Sequence, residues 1–264
     1  MESHPEQRAP KTKAKVCAEH GEYLATFLFG TSYTRCPACA KAWEEKQKER
    51  DAERLREQRE EQAAARLAFN LRHDGLAGRF KRATFETFET PTTAHAAALD
   101  ACRSFAETMT PTSGGGLWLI GPPGTGKTHL ASSIVTHLIR ERGCGACVHA
   151  VHEVMRALRK RFGVKEDSGW GDGLDTVEQM LQHLCQVPLL ALDEIGVSRG
   201  SEWEAEQLFT IIDDRYKNER PTVIVSNLPA TELKPLLGDR VYDRLRDGAR
   251  IVPMNWPSHR GSRS

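Results

Sequence analysis

The run Gly121-Pro-Pro-Gly-Thr-Gly-Lys-Thr128 constrains the fold of this 264-residue chain more than any other feature. It matches the phosphate-binding loop pattern G-x-x-x-x-G-K-[ST], and it stands between a predicted strand and a predicted helix. Its glycines let successive backbone N–H groups point into one concavity, which attracts a polyphosphate together with the helix N-terminus. Lys127 would reach the β- and γ-phosphates, and the Thr128 hydroxyl would bind Mg²⁺. The predicted nucleotide-binding residues are Gly121, Pro122, Pro123, Gly124, Thr125, Gly126, Lys127, Thr128 and His129.

Short apolar segments alternate with amphipathic stretches from about residue 80 onward. The predicted strands are Leu117–Ile120, Cys147–Val151, Leu189–Leu192, Thr222–Ser226 and Arg250–Pro253. In Thr128–Arg142 the apolar residues share one helical face, and Gly143 follows as a stop signal. Strands that alternate with helices of this length predict crossover connections. We therefore expect an α/β domain over 79–264, with a parallel sheet and helices on both faces.

Two carboxylates, Asp193 and Glu194, directly follow the apolar strand Leu189–Leu192. Adjacent residues at a strand end point in different directions, so Asp193 can hold Mg²⁺ while Glu194 polarises the attacking water. Such a pair can also cap the following segment, but its position after the phosphate loop favours catalysis. Asn227, after the next strand, can orient the same water or serve as a turn residue.

The segment before this domain is dense in charge. Lys41–Glu61 holds seven basic and eight acidic residues and neither Gly nor Pro. Strong helix formers with opposite charges three and four residues apart predict a helix, and its apolar positions are too sparse for a coiled coil. We predict a charged linker helix over 41–78, with a partner-binding helix as the alternative.

Three cysteines and a histidine near the start of the chain have the spacing of metal ligands. Two residues separate Cys17 from His20 and Cys36 from Cys39, and fifteen residues lie between the pairs. Mixed thiolate–imidazole sets favour tetrahedral Zn²⁺, and four protein ligands leave no open position for catalysis. The hairpin-like stretch Gly21–Gly30 offers little core of its own, so a metal would stabilise it. We predict a zinc-binding module over 1–40, with unliganded thiols as the alternative.

Composition excludes several classes of protein. Thirty-seven basic residues against 36 acidic ones leave a net charge of +1, which excludes a uniformly basic nucleic-acid coat protein. No apolar run approaches the roughly 18 residues of a membrane span, and residues 1–16 lack the apolar core of a secretion signal. The odd count of seven cysteines fits reduced thiols and metal ligands better than disulfides. We expect a cytoplasmic protein with no membrane partner.

These residues together resemble the AAA+ ATPases, and more narrowly the DnaC-type replicative helicase loaders and their IstB-like relatives. The resemblance covers roughly Arg66–Ser264. It rests, besides the phosphate loop, on Ala83–Phe88, Leu192–Gly196, Ser226-Asn227, Gly238–Leu245 and the ending Asn255–Arg260, where His259 replaces a common Tyr. It implies that Lys127 and Thr128 are the Walker A residues, that Asp193 and Glu194 are the Walker B pair, and that Asn227 is sensor 1.

The same resemblance implies a function. ATP and Mg²⁺ would drive delivery of a hexameric, DnaB-like replicative helicase onto single-stranded DNA during replication initiation. The chain would self-associate through an arginine finger, for which Arg244 is the best match and Arg240 the second. The zinc module is not shared by every loader, and from its position alone we expect it to recognise the helicase. Two alternatives remain: an IstB-like transposition helper that engages a transposase and duplex DNA, and a non-hydrolysing adaptor that binds ATP as a structural ligand.

The segment Arg156–Phe162 combines four basic residues with an aromatic one. Such a cluster can bind phosphates and stack on one base of a single strand, and the resemblance to the loaders places DNA contacts near it. An ordinary helix with a solvated basic face is the alternative.

A second cysteine pair, Cys144 and Cys147, precedes His149 and His152. Its two-residue spacer also suits a metal or redox site. Strand geometry would spread these four side chains apart, so we expect buried or incidental thiols.

Overall fold

The computed structural model describes residues 11–28, 32–163, 176–196 and 201–259 of the chain. The chain divides into two compact units, Met1–Ala64 and Ala65–Ser264. Within the described ranges, no helix is both long enough and apolar enough to cross a bilayer.

The first unit contains a three-stranded antiparallel sheet. It is formed by β1 (Thr12–Cys17), β2 (Gly21–Leu28) and β3 (Ser32–Tyr33), in the order β1-β2-β3. A tight turn joins β1 to β2, and Gly21 adopts a φ of 76° there, which glycine tolerates without strain. The hairpin-like interpretation of Gly21–Gly30 is wrong in detail, because Gly21–Leu28 is one continuous strand. That strand pairs antiparallel with β1 on one side and with β3 on the other.

The charged segment forms the long helix α1 (Pro37–Arg72), which begins in the first unit and ends in the second. Its middle is exposed, and Arg56 and Glu60 form an ion pair one turn apart at 3.1 Å. This confirms a charged helix, although it occupies 37–72 and not the predicted 41–78. It ends at Arg72, and a short 3₁₀ turn occupies Gly78–Arg82.

The second unit contains a five-stranded sheet in the order β5-β6-β7-β4-β8, with every neighbouring pair parallel. The strands are β4 (Gly116–Ile120), β5 (Ala146–Ala150), β6 (Leu189–Asp193), β7 (Thr222–Ser226) and β8 (Ala249–Pro253). Their ends lie within one residue of the predicted ends, which confirms the parallel α/β prediction. Val151, predicted to end β5, instead begins a helix.

Helices cover both faces of this sheet. Leu117 and Leu119 face a core formed with α2 (Thr93–Thr108) and α3 (Lys127–Arg140). Trp118 and Ile120 face the opposite core, because successive strand residues alternate in direction. That second core is formed with α4 (Val151–Gly163), α5 (Val177–Gln186), α6 (Glu202–Lys217), α7 (Ala230–Leu237) and α8 (Asp239–Arg246).

A buried arginine, Arg215, fixes the beginnings of β6 and β7. Asp193 ends β6, and Asn227 directly follows β7. The Arg215 guanidinium is 1% exposed and donates to the carbonyls of Val187 and Pro221 at 2.7 and 2.6 Å. Its Nε donates to the Thr222 hydroxyl at 3.0 Å. Burial lowers the pKa of Arg215 to about 10, so the group stays charged at neutral pH. A single side chain therefore ties α6 to the beginnings of β6 and β7.

Two histidines of the second unit, His149 and His183, make the fold sensitive to acid. The rings of His73 and His183 lie 5.6 Å apart, and His149 is 7% exposed. Burial lowers the pKa of His149 to about 3 and that of His183 to about 4, from an ordinary value of 6.5. Below that value the unfolded chain takes up protons that the folded chain cannot accept. The free energy of unfolding that these neutral histidines contribute above pH 6.5 is therefore lost as the pH falls toward 4.

We expect a lower melting temperature at pH 5 than at pH 7, measured by circular dichroism. His183→Phe should reduce this difference, since it removes one of the groups that must stay neutral. Gln182→Ala, at an exposed residue next to His183 on α5, removes no titrating group and should leave it unchanged. Equal melting temperatures at the two pH values would contradict the prediction.

Candidate functional site

The phosphate loop connects β4 to α3 and lines a cleft of about 600 Å³. Gly126 caps α3 with a φ of 92°, and a Cβ there would lie 2.7 Å from the Phe88 ring. Only glycine adopts this φ without strain and also leaves room for the Phe88 ring. The first N–H groups of a helix lack intrahelical acceptors, so this end of α3 fits a polyphosphate.

The Lys127 amine lies inside the loop. It is 6% exposed, and Nζ donates to the carbonyl oxygens of Gly121 and Pro122 at 2.7 and 2.8 Å. Thr125 donates to the same Pro122 oxygen at 3.0 Å. A phosphate oxygen is a stronger acceptor than a carbonyl, so the amine is poised to transfer these bonds to a nucleotide.

Asp193 and Thr128 form the oxygen set that Mg²⁺ prefers. Burial raises the pKa of the Asp193 carboxyl, while hydrogen bonds from the Thr128 side chain and the Glu194 backbone N–H act to lower it. The Glu194 N–H donates to Oδ1 at 2.7 Å. A carboxylate beside a hydroxyl suits a Mg²⁺ ion that also keeps water and phosphate ligands.

Glu194 has a different environment from its neighbour. Its φ is 57°, a left-handed conformation that is uncommon outside glycine. Its side chain is 48% exposed, and Oε2 lies 3.1 Å from Nδ1 of His152, at the start of α4. The sequence pattern groups His152 with the second cysteine pair and gives no sign of this contact with Glu194.

The remaining predicted residues of the cleft come from β7 and α3. Asn227 lines the cleft directly after β7. Ser226 donates to the Ile195 carbonyl at 2.8 Å and so ties β7 to the segment after Glu194. The His129 ring contacts the Thr87 hydroxyl at 3.0 Å, so its side chain fixes the segment before α2 beside the loop.

Two aromatic rings, those of His95 and Trp256, form a wall of the cleft that the sequence does not predict. The Trp256 and His95 rings stack with centroids 4.1 Å apart, and Trp256 Nε1 donates to the Thr125 carbonyl at 3.0 Å. The backbone N–H of His259 donates to the Gly124 carbonyl at 2.9 Å. The tail after β8 therefore packs on the phosphate loop. Arg260, next in the chain, lies outside the described residues.

Arg244 is held within its own chain. Its Nη2 lies 2.7 Å from Oδ1 of Asp213, and its guanidinium stacks on the Phe209 ring at 5.1 Å. Lys217 and then Arg244 lower the pKa of Asp213. The Arg244 side chain is 26% exposed, whereas Arg240 is exposed.

The basic helix α4 has two distinct faces. Val154, Met155 and Leu158 are buried, whereas Arg156 and Lys160 are exposed. Arg159 is engaged within the chain: it donates to the Ser201 hydroxyl at 2.9 Å and pairs with Glu204 at 3.2 Å. The side chains of residues 161–163 lie outside the described part of the structure.

The four predicted zinc ligands converge in the first unit. One ligand atom from each of Cys17, His20, Cys36 and Cys39 lies within 4.8 Å of all the others. Cys17 Sγ is 3.5 Å from Cys39 Sγ, which is 3.3 Å from His20 Nδ1. The Glu19 backbone N–H and then the His20 side chain lower the pKa of Cys17 to about 6, so a thiolate forms readily. This donor set fits a tetrahedral Zn²⁺.

The second cysteine pair does not join a metal cluster. Among the described residues, the set in the first unit is the one group with metal-ligand geometry. Burial raises the pKa of Cys147 to about 12, and Cys144 is half-buried. These are packed thiols, as expected from the strand geometry.

Comparison with known proteins gave consistent matches. The family model for IstB-like ATP binding proteins matches residues 43–264. The replicative helicase loader DnaC of Escherichia coli (strain K12) is 32% identical over 220 residues, which are 83% of this chain and 84% of that protein. DnaC of Buchnera aphidicola subsp. Baizongia pistaciae is 32% identical over 191 residues, or 72% and 74% of the two chains.

Solved structures share the fold. A crystal structure of the DnaC helicase loader matches with a TM-score of 0.58 and 25% identity, over 67% of this chain and 99% of that one. A DnaI crystal structure matches with a TM-score of 0.56 and 22% identity, over 68% and 91%.

Proposed function

Because this chain belongs to the IstB-like ATP-binding protein family and has the AAA+ fold of the DnaC loaders, we propose that it is an ATP-dependent helicase loader. It delivers a hexameric replicative helicase onto single-stranded DNA in the cytoplasm during replication initiation. The observation that carries the proposal is the identity with replicative helicase loaders over most of the chain. The geometry of the cleft supports an ATP-driven step.

The polar residues predicted from the sequence have separate roles in this proposal. The phosphate loop and Lys127 bind the triphosphate, and Asn227 orients the attacking water. Glu194 accepts a proton from that water as it attacks the γ-phosphorus. Thr128 and Asp193 would hold a Mg²⁺ ion, which supplies positive charge for the phosphoryl oxygens.

Arg244 completes the site of a neighbouring chain in the same proposal. An arginine supplied in trans stabilises charge that develops on the transferred phosphoryl group. In a single chain Asp213 and Phe209 hold this guanidinium. On assembly, the Arg244 guanidinium must therefore leave the Asp213 carboxylate and bind a phosphoryl oxygen in the site of the neighbouring chain. Hydrolysis then depends on association of the chains.

The first unit is the proposed site of helicase recognition. Val16 and Leu24 on its sheet are 75% and 66% exposed. The zinc ligands fix the strand ends around these side chains, so the module can present a rigid surface to a partner.

A loading assay tests the function. The replicative helicase of the same host, mixed with this protein and ATP, should unwind a forked substrate whose single strand is coated with single-strand-binding protein. Helicase without this protein should not. Unwinding that is independent of the protein would contradict the loader proposal, and co-purification with a transposase instead would favour the transposition helper.

A double substitution tests binding of single-stranded DNA. Arg156→Ala with Lys160→Ala should weaken oligonucleotide binding about tenfold and reduce the slope of log K against log salt by roughly 1 to 2, since two phosphate contacts are lost. Fluorescence anisotropy at several salt concentrations measures both. Lys48→Ala with Arg50→Ala removes the same charge from exposed positions of α1 and should have little effect. Equal losses in the two double variants would show that only net charge matters.

A further inference from the structure

We propose that Trp256 is a positioning residue of the phosphate loop. Together with the rest of the tail after β8, residues 254–259, it directs two backbone N–H groups of the loop at the phosphates of ATP. The inference rests on the proposed ATP-dependent function and adds a residue that determines nucleotide affinity. Trp256 acts through the backbone of the loop and not by its own contact with the nucleotide.

The tail extends the pairing of β8 with β4 into the phosphate loop. These strands are parallel neighbours, with Ile120 opposite Pro253 in the register. The Met254 N–H donates to the Ile120 carbonyl at 2.7 Å, so Met254 lies beside Gly121 at the start of the loop. A Cβ on Gly121 would collide with the Met254 carbonyl. The backbones of the tail and the loop are therefore in direct contact.

The tail then donates two hydrogen bonds to the backbone of the loop. Trp256 Nε1 donates to the Thr125 carbonyl at 3.0 Å, and the His259 backbone N–H donates to the Gly124 carbonyl at 2.9 Å. A Cβ on Gly124 would collide with the Ser258 side chain. The tail thus occupies the side of the loop toward which these two carbonyls point.

The orientation of the two carbonyls fixes the orientation of two N–H groups. In a trans peptide the C=O and the following N–H point in opposite directions. The Gly124 carbonyl shares its peptide with the Thr125 N–H, and the Thr125 carbonyl shares its peptide with the Gly126 N–H. Both N–H groups therefore point away from the tail. Backbone N–H groups of such a loop bind the α- and β-phosphates of a nucleotide.

The indole that makes one of these bonds is itself held by α2. The His95 ring stacks on it with centroids 4.1 Å apart, and His95 Nδ1 lies 2.7 Å from the hydroxyl of Thr92, which caps α2. Trp256 is 9% exposed. An indole fixed in this way holds the Thr125 carbonyl before ATP arrives, so less order has to be imposed on the loop when the nucleotide binds.

Trp256→Phe tests the proposal, since phenylalanine keeps a ring for the stack on His95 but lacks the N–H donor. Displacement of a fluorescent ATP analogue should show that the Kd for ATP and the Kd for inorganic triphosphate both rise about fivefold, as expected for one lost hydrogen bond. KM for ATP should rise by a similar factor while kcat stays within about twofold. The α- and β-phosphates are bound alike in the ground state and the transition state, so their loss of binding affects KM alone.

Trp118→Phe is the matched control. Trp118 Nε1 also donates to a backbone carbonyl, that of Leu245, at 3.0 Å, and the side chain is buried in the core on the other face of the sheet. This change should lower the melting temperature but leave both Kd values unchanged. A benzothiophene analogue of tryptophan at position 256 replaces the N–H with sulfur at nearly the same shape. It should match Trp256→Phe in affinity even if the phenylalanine variant folds poorly.

Three results would overturn the proposal. The first is unchanged Kd values in Trp256→Phe and in the benzothiophene analogue. The second is weaker binding of ATP with unchanged binding of triphosphate, which would place Trp256 against the base. The third is an equal loss of affinity in Trp118→Phe. The proposed function fails separately, by the absence of helicase loading with the wild type. If the wild type binds ATP and loads the helicase while Trp256→Phe binds ATP equally well, the proposal about Trp256 fails alone.

Discussion

Glu194→Gln is expected to lower kcat for ATP hydrolysis by about 10²- to 10⁴-fold, the usual contribution of a general base. Glutamine has nearly the same shape but cannot accept the proton of the attacking water. Because the phosphate loop is unchanged, ATP should still bind. Phosphate release measures the rate, and titration with a fluorescent ATP analogue measures the affinity. Glu206→Gln, an exposed change on α6, is the control, and unchanged turnover and helicase release in Glu194→Gln would favour the non-hydrolysing adaptor.

The same variant tests the arginine finger. An Arg244→Ala chain keeps its own Glu194 but offers no arginine to a neighbour, so it should also be inactive alone. Mixing it with Glu194→Gln should restore part of the turnover, because the Glu194→Gln chain supplies Arg244 to an intact site. No recovery across a range of mixing ratios would contradict the role of Arg244 and direct attention to Arg240.

Removal of zinc is expected to unfold the first unit while the second stays folded. In the described residues of the first unit, Ala25 and Cys36 are the buried apolar side chains, so the unit has almost no hydrophobic core. Structural zinc contributes on the order of 10 kcal/mol in modules of this kind. Metal analysis should find about one zinc per chain, as expected for a closed four-ligand site. Cys36→Ser or chelation should abolish both the zinc content and helicase binding.

The controls for this prediction come from the second unit. Nucleotide binding should survive zinc removal, because the phosphate loop belongs to a separate core. Cys144→Ser removes a thiol outside the cluster and should change neither zinc content nor helicase binding. Protein purified without chelator that contains no zinc, yet binds the helicase, would contradict the zinc assignment.

Local patterns predicted most of the fold. The strands of the second unit, the helix after the phosphate loop and the charged helix all follow from hydrophobic periodicity and composition over short windows. The family resemblance, based on the order and spacing of motifs, is confirmed by the match over residues 43–264. The zinc ligands also converge, as the two-residue spacing within each pair predicts.

Contacts between distant segments could not be predicted in the same way. Trp256 reaches Thr125, 131 residues earlier in the chain, and Arg244 reaches Asp213 on another helix. The sequence predicts that Arg159 contacts DNA. In the structure its guanidinium pairs with Glu204 near the start of α6. No window of neighbouring residues contains both members of these pairs. The parallel order of the strands decides which of them meet.

The left-handed backbone at Glu194 sets a limit on how stable this protein can become. A non-glycine residue in that region costs about 1 to 2 kcal/mol. Glycine would remove this strain but would supply no carboxylate. Selection for thermal stability alone would therefore favour glycine at position 194. The resulting protein would be more stable but would lack the carboxylate. The proposed general base at this position therefore carries a cost in folding stability that a glycine there would not carry.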